Sequence, residues 1–403
     1  MPSKKFQFFV VALIVAVFAT SSAWGAARYH VLHAFVGSDG SYPYSGLISD
    51  KAGNLYGATL TGGAHARGTV FKLTPGSNGW WTETILHSFT QAEGDLPYGP
   101  LTFDSAGNLY GVTTFGGAHF GGTVFELTPR SNGKWSLAVL YNFDGTNQCN
   151  PTGALVFDTK GNLYGATGSN GTTTYGTIYK LTRKGNGQWS ETTLHTCTGG
   201  NDDGPVGVII DAKGNLYGAM SGAGDQAYGL IFKLSPGAKG KWNETPLYLF
   251  SQSDGAAYSN VIFGPTGDLY GTTVAADMFS KNTAYRLAPE SKGNWSYSVI
   301  HTFGQSDDPA DPLAFDAKGD LYGVTRQGGT FNQGTAFKLA PQENGKWSAT
   351  TLHNFNANGT DGADPNGSLI FDGSGNLYGT TTLGGNLGGC NGQGCGVVFR
   401  IIP

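Results

Sequence analysis

Gly53-Asn54-Leu55-Tyr56-Gly57 is a phrase this chain says seven times. It recurs from Gly107, Gly161, Gly214 and Gly375, and with Asp in second place from Gly267 and Gly319. The steps between copies are 54, 54, 53, 53, 52 and 56 residues. A fixed period of this length marks a repeat architecture, in which each unit is one supersecondary element that buries its faces against its neighbours. Outward from the second copy, four strands can be read. Gly99 to Phe103 is a short apolar run closed by Asp104, and Ser105 to Asn108 is a tight turn in which Gly107 supplies positive φ and Asp104 bonds back to the backbone. Leu109 to Thr113 is a second strand, and a Gly-Gly loop leads to a third, Thr123 to Leu127. A Ser-Asn-Gly turn then gives a long fourth strand, Trp135 to Phe143.

Each unit is therefore a four-stranded antiparallel meander, and seven of them predict an all-β, seven-bladed β-propeller. The chain ends support a ring over an open stack. Arg28 to Phe35 matches a fourth strand, and Val397 to Ile401 matches a third. Pairing them closes the last blade, whereas an open array leaves two bare edges. Small residues before each turn (Ser45-Gly46, Gly99-Pro100, Gly153-Ala154, Gly207, Gly367-Ser368) suit the crowded axis, and the Trp-led fourth strands suit the rim.

Composition agrees: of 403 residues, 65 are Gly, 13% are aromatic and 13% are charged, which is neither collagen nor disorder. Lys4 and Lys5, an apolar run from Phe6 to Thr20 and the small-residue stretch around Ala23-Trp24-Gly25 read as a signal peptide over residues 1–25, with one propeller domain over 26–403. The apolar run is short for a membrane span. The expectation is export to the periplasm, cell envelope or medium, as a monomer with no membrane span after cleavage. Loss of Lys4 and Lys5 leaves acidic residues in excess by six, which gives no reason to expect nucleic acid as a partner. Four cysteines fit an oxidising compartment, with Cys390 expected to pair with Cys395, while Cys149 and Cys197, in the same type of loop of adjacent repeats, could join neighbours, a pairing the sequence leaves open.

The repeated Asp-x-x-Gly-Asn-Leu-Tyr-Gly, the Gly-Thr-Val-Phe-Lys-Leu-Thr-Pro after each Gly-Gly loop and the Leu-His-x-Phe resemble the GloVer tandem repeat of bacterial choice-of-anchor secreted proteins. The resemblance spans Arg28 to Pro403 and implies an exported propeller-like protein with no set biochemical role. This chain stops at Pro403 without the sorting tail of that group, so release is expected over anchoring.

Loops in such a ring alternate between two faces. The face carrying the fourth-to-first-strand loops is rich in Asp, and the opposite face is rich in Lys and Arg. The candidate ligand-binding set on the top face joins three carboxylates of the acidic loops, Asp39, Asp203 and Asp308, to four residues that break the repeat, Arg67, Asp225, Asp311 and Arg326, with solvated turn residues as the competing reading of the acidic loops. Asn356, Asn358, Asp361 and Asp364 form an oxygen-rich loop, a calcium candidate, although it lacks the EF-hand spacing. No other cofactor is expected. No nucleophile–base pair and no Gly-x-Ser-x-Gly or His-Glu-x-x-His motif is present. The expected role is a non-enzymatic binding or scaffold module for an extracellular protein, glycan or cation. The alternatives are a hydrolase or lyase acting on a polysaccharide, and a structural envelope component.

Overall fold

A computed structural model describes residues 27–146, 148–168, 175–222, 228–309 and 311–403. The signal-peptide segment lies outside them. Seven antiparallel sheets make up the described residues, one per repeat. Blade 1 holds Ile48–Ser49, Leu55–Thr59, Thr69–Pro75 and Trp81–Ser88, from axis to rim. Blade 3 (Pro151–Phe157, Leu163–Thr167, Thr177–Arg183, Trp189–Thr196), blade 4 (Ile209–Ile210, Leu216–Met220, Leu230–Pro236, Trp242–Leu249) and blade 6 (Ala314–Phe315, Leu321–Thr325, Thr335–Pro341, Trp347–Asn354) repeat it. In blade 2 the innermost strand is split into Asp95–Pro97 and Thr102–Phe103, followed by Leu109–Phe115, Thr123–Pro129 and Trp135–Asn142. Blade 5 is split likewise, into Ala256–Ala257 and Ile262–Phe263, before Leu269–Val274, Thr283–Pro289 and Trp295–Thr302. Blade 7 runs Gly362–Phe371, Leu377–Gly384, Val397–Ile402, and its rim strand is Arg28–Ala34 from the other end of the chain. Val31 lies opposite Phe399 in that pairing, so the ring closes as the chain ends suggest.

The five-residue phrase has a physical reason at each place. Asp50 accepts the backbone N–H groups of Ala52 and Asn54 on Oδ1, and the Asn54 amide and Tyr56 hydroxyl on Oδ2. Asp104, Asp158, Asp211 and Asp372 do the same in their blades. Where Asp replaces Asn, a basic residue on the third strand answers it: Arg286 lies 2.7 Å from Asp268, and Lys338 pairs with Asp320. The tyrosine ring crosses to the next blade, as when Tyr56 meets Phe103 edge-on at 5.1 Å and Trp135 at 6.3 Å.

The two glycines of the phrase do different work. Gly107 sits at φ 87° with open space around it, so only its backbone conformation is demanded. Gly111 has ordinary backbone, but a Cβ there would stand 2.6 Å from Cζ of Phe125 and 3.0 Å from Leu101. Both of those side chains are buried between blades 1 and 2. Gly111→Val is therefore expected to destabilise the protein by about 1–3 kcal/mol through overpacking, read as a lower midpoint in guanidinium unfolding; an unchanged midpoint would remove this account of the motif.

Candidate functional site at the axial mouth

Most of the acidic top face proves to be turn architecture. Asp39 accepts from Val36 N–H and lies 3.1 Å from His33 Nε2. Glu93 does the same with Thr90 and His87, and Asp202 with Thr198 and His195. Asp254 accepts from Ser251 N–H and the Tyr248 hydroxyl. Asp361 lies 3.0 Å from His353. These carboxylates fasten the fourth-to-first-strand loop to its own rim strand. Burial works against the charge of Asp39, but the His33 bond and the Val36 N–H outweigh it and hold the carboxyl below its ordinary range. Asp39 thus has a repeated structural role, and the recurring rim histidines serve the same purpose.

The residues that do not repeat gather elsewhere. In blades 3 and 7 the innermost strand bulges between two paired ends, as the register breaks between Thr152 and Val156 and between Asn366 and Ile370 record, and in blades 2 and 5 the same interruption splits it. The bulges of adjacent blades meet at the axis: a Cβ on Gly153 would touch Val206 and Gly207, and one on Gly46 would touch Ser368. Small residues fill this level in five blades (Ser45, Gly99, Gly153, Ser259, Gly367) and Val206 holds it in blade 4, but in blade 6 Asp311 takes the place. Asp311 Oδ1 accepts the Gly367 N–H at 2.8 Å, across to blade 7. Its Oδ2 is shut off from solvent and has no hydrogen-bond partner among the described residues. A bulge is a common device for aiming a side chain out of the sheet plane.

Arg326, just past the second strand of blade 6, reaches over this level. Its Nε lies 3.2 Å from Asp364 Oδ1, and its guanidinium sits over the Tyr44 ring at 5.7 Å. Tyr44 packs on Tyr98 with ring centroids 4.7 Å apart. Asp308 precedes Pro309 as Asp364 precedes Pro365, so the two carboxylates hold matching places in adjacent blades. Asp308 Oδ1 is a second solvent-excluded oxygen without a partner among the described residues. Blades 6, 7, 1 and 2 thus bring three carboxyls, one guanidinium and two phenol rings to one end of the axis.

Their electrostatics follow from enclosure. Burial pushes the Asp311 carboxyl up to about 7; the Gly367 N–H and Arg326 oppose this, while Asp308 and Asp364 add to it. Burial also raises Asp308 and Asp364, each countered by Arg326. Burial disfavours the Arg326 charge, yet Tyr44, Asp364 and Asp308 together hold it more firmly than usual. The mouth can therefore donate through Arg326, accept through carboxylates and line a ligand with phenol rings, with one carboxyl, Asp311, that holds its proton up to about 7.

Of the sequence candidates, Asp308, Asp311 and Arg326 come together here, joined by Asp364 from the calcium set. Tyr44 and Tyr98 were missed; the signal was a bulky residue beside each small axial position. Arg67 is engaged as a clamp between blades, paired with Asp95 and Gln91. Asp203 is buried in the loop between blades 3 and 4. Asp225 lies outside the described residues. The oxygens of the calcium loop are spent locally: Asn356 on the Asn358 N–H, Asn358 on Thr360 and Asp361, Asp361 on His353 and Gly362. Two shallow depressions, of about 360 and 180 Å³, lie on the outer strands away from the mouth, around Trp135 and around His301.

Of the two cysteine pairings, the expected one is found and the open one is not. Cys390 and Cys395 form a disulfide, whereas Cys149 and Cys197 form none and are both buried. They are not in matching places. Cys197 ends a rim strand where blade 2 has Phe143, while Cys149 lies six residues beyond Phe143, at the start of an innermost strand.

Among the described residues no helix is long and apolar enough to cross a membrane. No curated protein matches the chain. Among solved structures, the chain is similar to a Thermus thermophilus protein described as a candidate oxidoreductase (glucose dehydrogenase), at 17% identity over 93% of this chain and 100% of that one, with a TM-score of 0.45. A luciferin-regenerating enzyme is similar at 13% identity, over 94% and 95% of the two chains, with a TM-score of 0.43. A protein of unknown function from Dyadobacter fermentans is similar at 11%, over 94% and 99%, with a TM-score of 0.46. At these values none carries an argument about function. The sequence itself matches the model of a Gloeobacter/Verrucomicrobia repeat in three overlapping stretches, residues 16–205, 131–314 and 204–403. With residues 16–403 covered throughout, the chain belongs to the Gloeobacter/Verrucomicrobia repeat family.

Proposed function

We propose that this protein is an exported, non-enzymatic binding module that holds a saccharide unit at the axial mouth. The observation that carries the reading is Asp311: a carboxyl stands where other blades have Gly, Ser or Val, and one of its oxygens is buried without a protein donor among the described residues. Leaving a buried acceptor unsatisfied costs about 1–3 kcal/mol, so a ligand that parts the mouth far enough to bring a hydroxyl to this oxygen is favoured. Tyr44 and Tyr98 line the mouth with half-buried phenol rings, the side-chain type that packs on the C–H face of a sugar, and Arg326 and Asp364 add directional donors and acceptors. A small cation fits less well, because Asp308, Asp311 and Asp364 are not close enough to share one ion. The test is a glycan and polysaccharide array probed with the mature protein, followed by calorimetry on the best hit. Asp311→Ser, the residue of blades 1 and 5, is expected to weaken that hit by at least ~10-fold, the worth of one charged hydrogen bond. Equal affinity in the variant, or an array without hits, removes the reading.

A second reading, a hydrolase or lyase acting on an extracellular polysaccharide, is favoured by one fact: an Asp311 carboxyl near 7 is suited to proton transfer at neutral pH. Release of new reducing or unsaturated ends from an array hit would establish it.

A further inference from the structure

We infer that the wall between blades 3 and 4 is a zinc-class metal site made by His195, Cys197 and Asp202, with Glu244 beside it. Rim strands in this protein end in a buried phenylalanine that packs on an aromatic of the next blade: Phe35 on Phe71, Phe89 on Phe125, Phe143 on Tyr179, Phe250 on Tyr285, Phe303 on Phe337 and Phe355 on Phe399. Blade 3 alone puts a thiol, Cys197, in that place. The second strand of blade 4 departs in step. Met220 stands where the other blades have Thr59, Thr113, Thr167, Thr273, Thr325 and Thr381, with its sulfur 4.0 Å from Cys197 Sγ. Packing explains the methionine, which fills the volume a phenyl ring would have taken. It does not call for a thiol among acids and an imidazole.

His195 Nε2 lies 3.0 Å from Asp202 Oδ1, and the ligand atoms of His195, Cys197 and Asp202 all fall within 4.8 Å of one another. No other such trio occurs among the described residues. Glu244 on the neighbouring rim strand brings Oε2 to 3.9 Å from His195 Nε2, and its Oε1 is shut off from solvent with no hydrogen-bond partner among the described residues. Between blades 7 and 1, His33, Asp39 and Glu83 repeat the imidazole and both carboxyls, but Phe35 replaces the thiol. A tetrahedral ion with bonds of roughly 2.0–2.3 Å to N, O and S needs the donors to draw in slightly. Thiolate plus imidazole selects zinc-like ions over calcium or magnesium. Binding displaces the Cys197 thiol proton to solvent, so affinity falls as the pH is lowered.

The experiment titrates metal-free mature protein with Co²⁺. The expected result is one ion per chain, with a thiolate-to-cobalt charge-transfer band in the near ultraviolet that Zn²⁺ abolishes, and a Zn²⁺-dependent rise in melting temperature. A double variant, Cys197→Phe with Met220→Thr, carries the residues of the other blades and is expected to fold with unchanged circular dichroism and no band. Absence of the band in the unaltered protein, equal binding by the double variant, or binding of Cu(I) alone would each overturn the assignment.

Discussion

A chain that begins at Val36 is expected to lose its cooperative fold. The strand Arg28–Ala34 is the rim of blade 7, and its side chains serve two seams of the ring. Tyr29 stacks on His353 at 3.9 Å and meets Phe355 edge-on at 5.8 Å. Val31 and Ala34 pack on the cluster of Phe399 and Val397, while Leu32 and Phe35 pack on that of Phe71 and Leu73. Each large apolar side chain removed forfeits about 1.5–3 kcal/mol of burial. Several together consume most of a stability of about 5–15 kcal/mol. The bared edge of Val397–Ile402 also becomes a template for aggregation. Guanidinium unfolding and size-exclusion chromatography should show a broad transition and soluble aggregates. A truncated chain that unfolds as one monomeric unit near the original midpoint would refute closure as the source of stability.

The second large effect is a stabilisation. Asp311→Asn should make the ligand-free protein more stable, by an amount set by pH. In the unfolded chain the Asp311 carboxyl ionises near 3.9, whereas in the fold burial lifts it to about 7. A raised carboxyl means that the folded state holds the proton longer, so native stability falls as pH rises between these two values, by about 1.4 kcal/mol per pH unit. Below pH 4 the group is neutral in both states and Asn should make little difference. Above pH 7 the advantage of Asn should level off at up to about 4 kcal/mol. Paired unfolding curves at pH 4, 6 and 8 check this, and acid loss of the turn aspartates such as Asp50 cancels in the comparison. A flat difference would mean that Asp311 is not held in the enclosed, half-satisfied state. Residues kept at a cost to stability are characteristic of functional positions.

The ring, its closure and the radial order were legible because each blade restates them: Gly53, Tyr56 and Gly57 recur in all seven copies and Asp50 in six, with Gly264 in its place in the fifth. The acidic face was legible as turn residues, but not the contacts those residues make. Asp39 and Asp361 looked like a charged surface, but contact with His33 and His353 shows them tying loops, which needs distances that sequence alone does not give. Asp311 and Arg326 stood out as exceptions to the repeat, yet nothing in their spacing told that Arg326 would lie over Tyr44, a residue 282 positions away. The pairing of Cys149 with Cys197 failed because a one-blade offset and a different depth in the loop were hidden by similar surroundings.

The most direct measurement is a crystal structure of the mature protein soaked with the strongest glycan from the array. The account predicts a sugar ring at the mouth, a hydroxyl donating to Asp311 Oδ2 and contact with Arg326 and the Tyr44 face. A glycan seated on the His-tied outer loops or on the rim, with the mouth left to solvent, would contradict it.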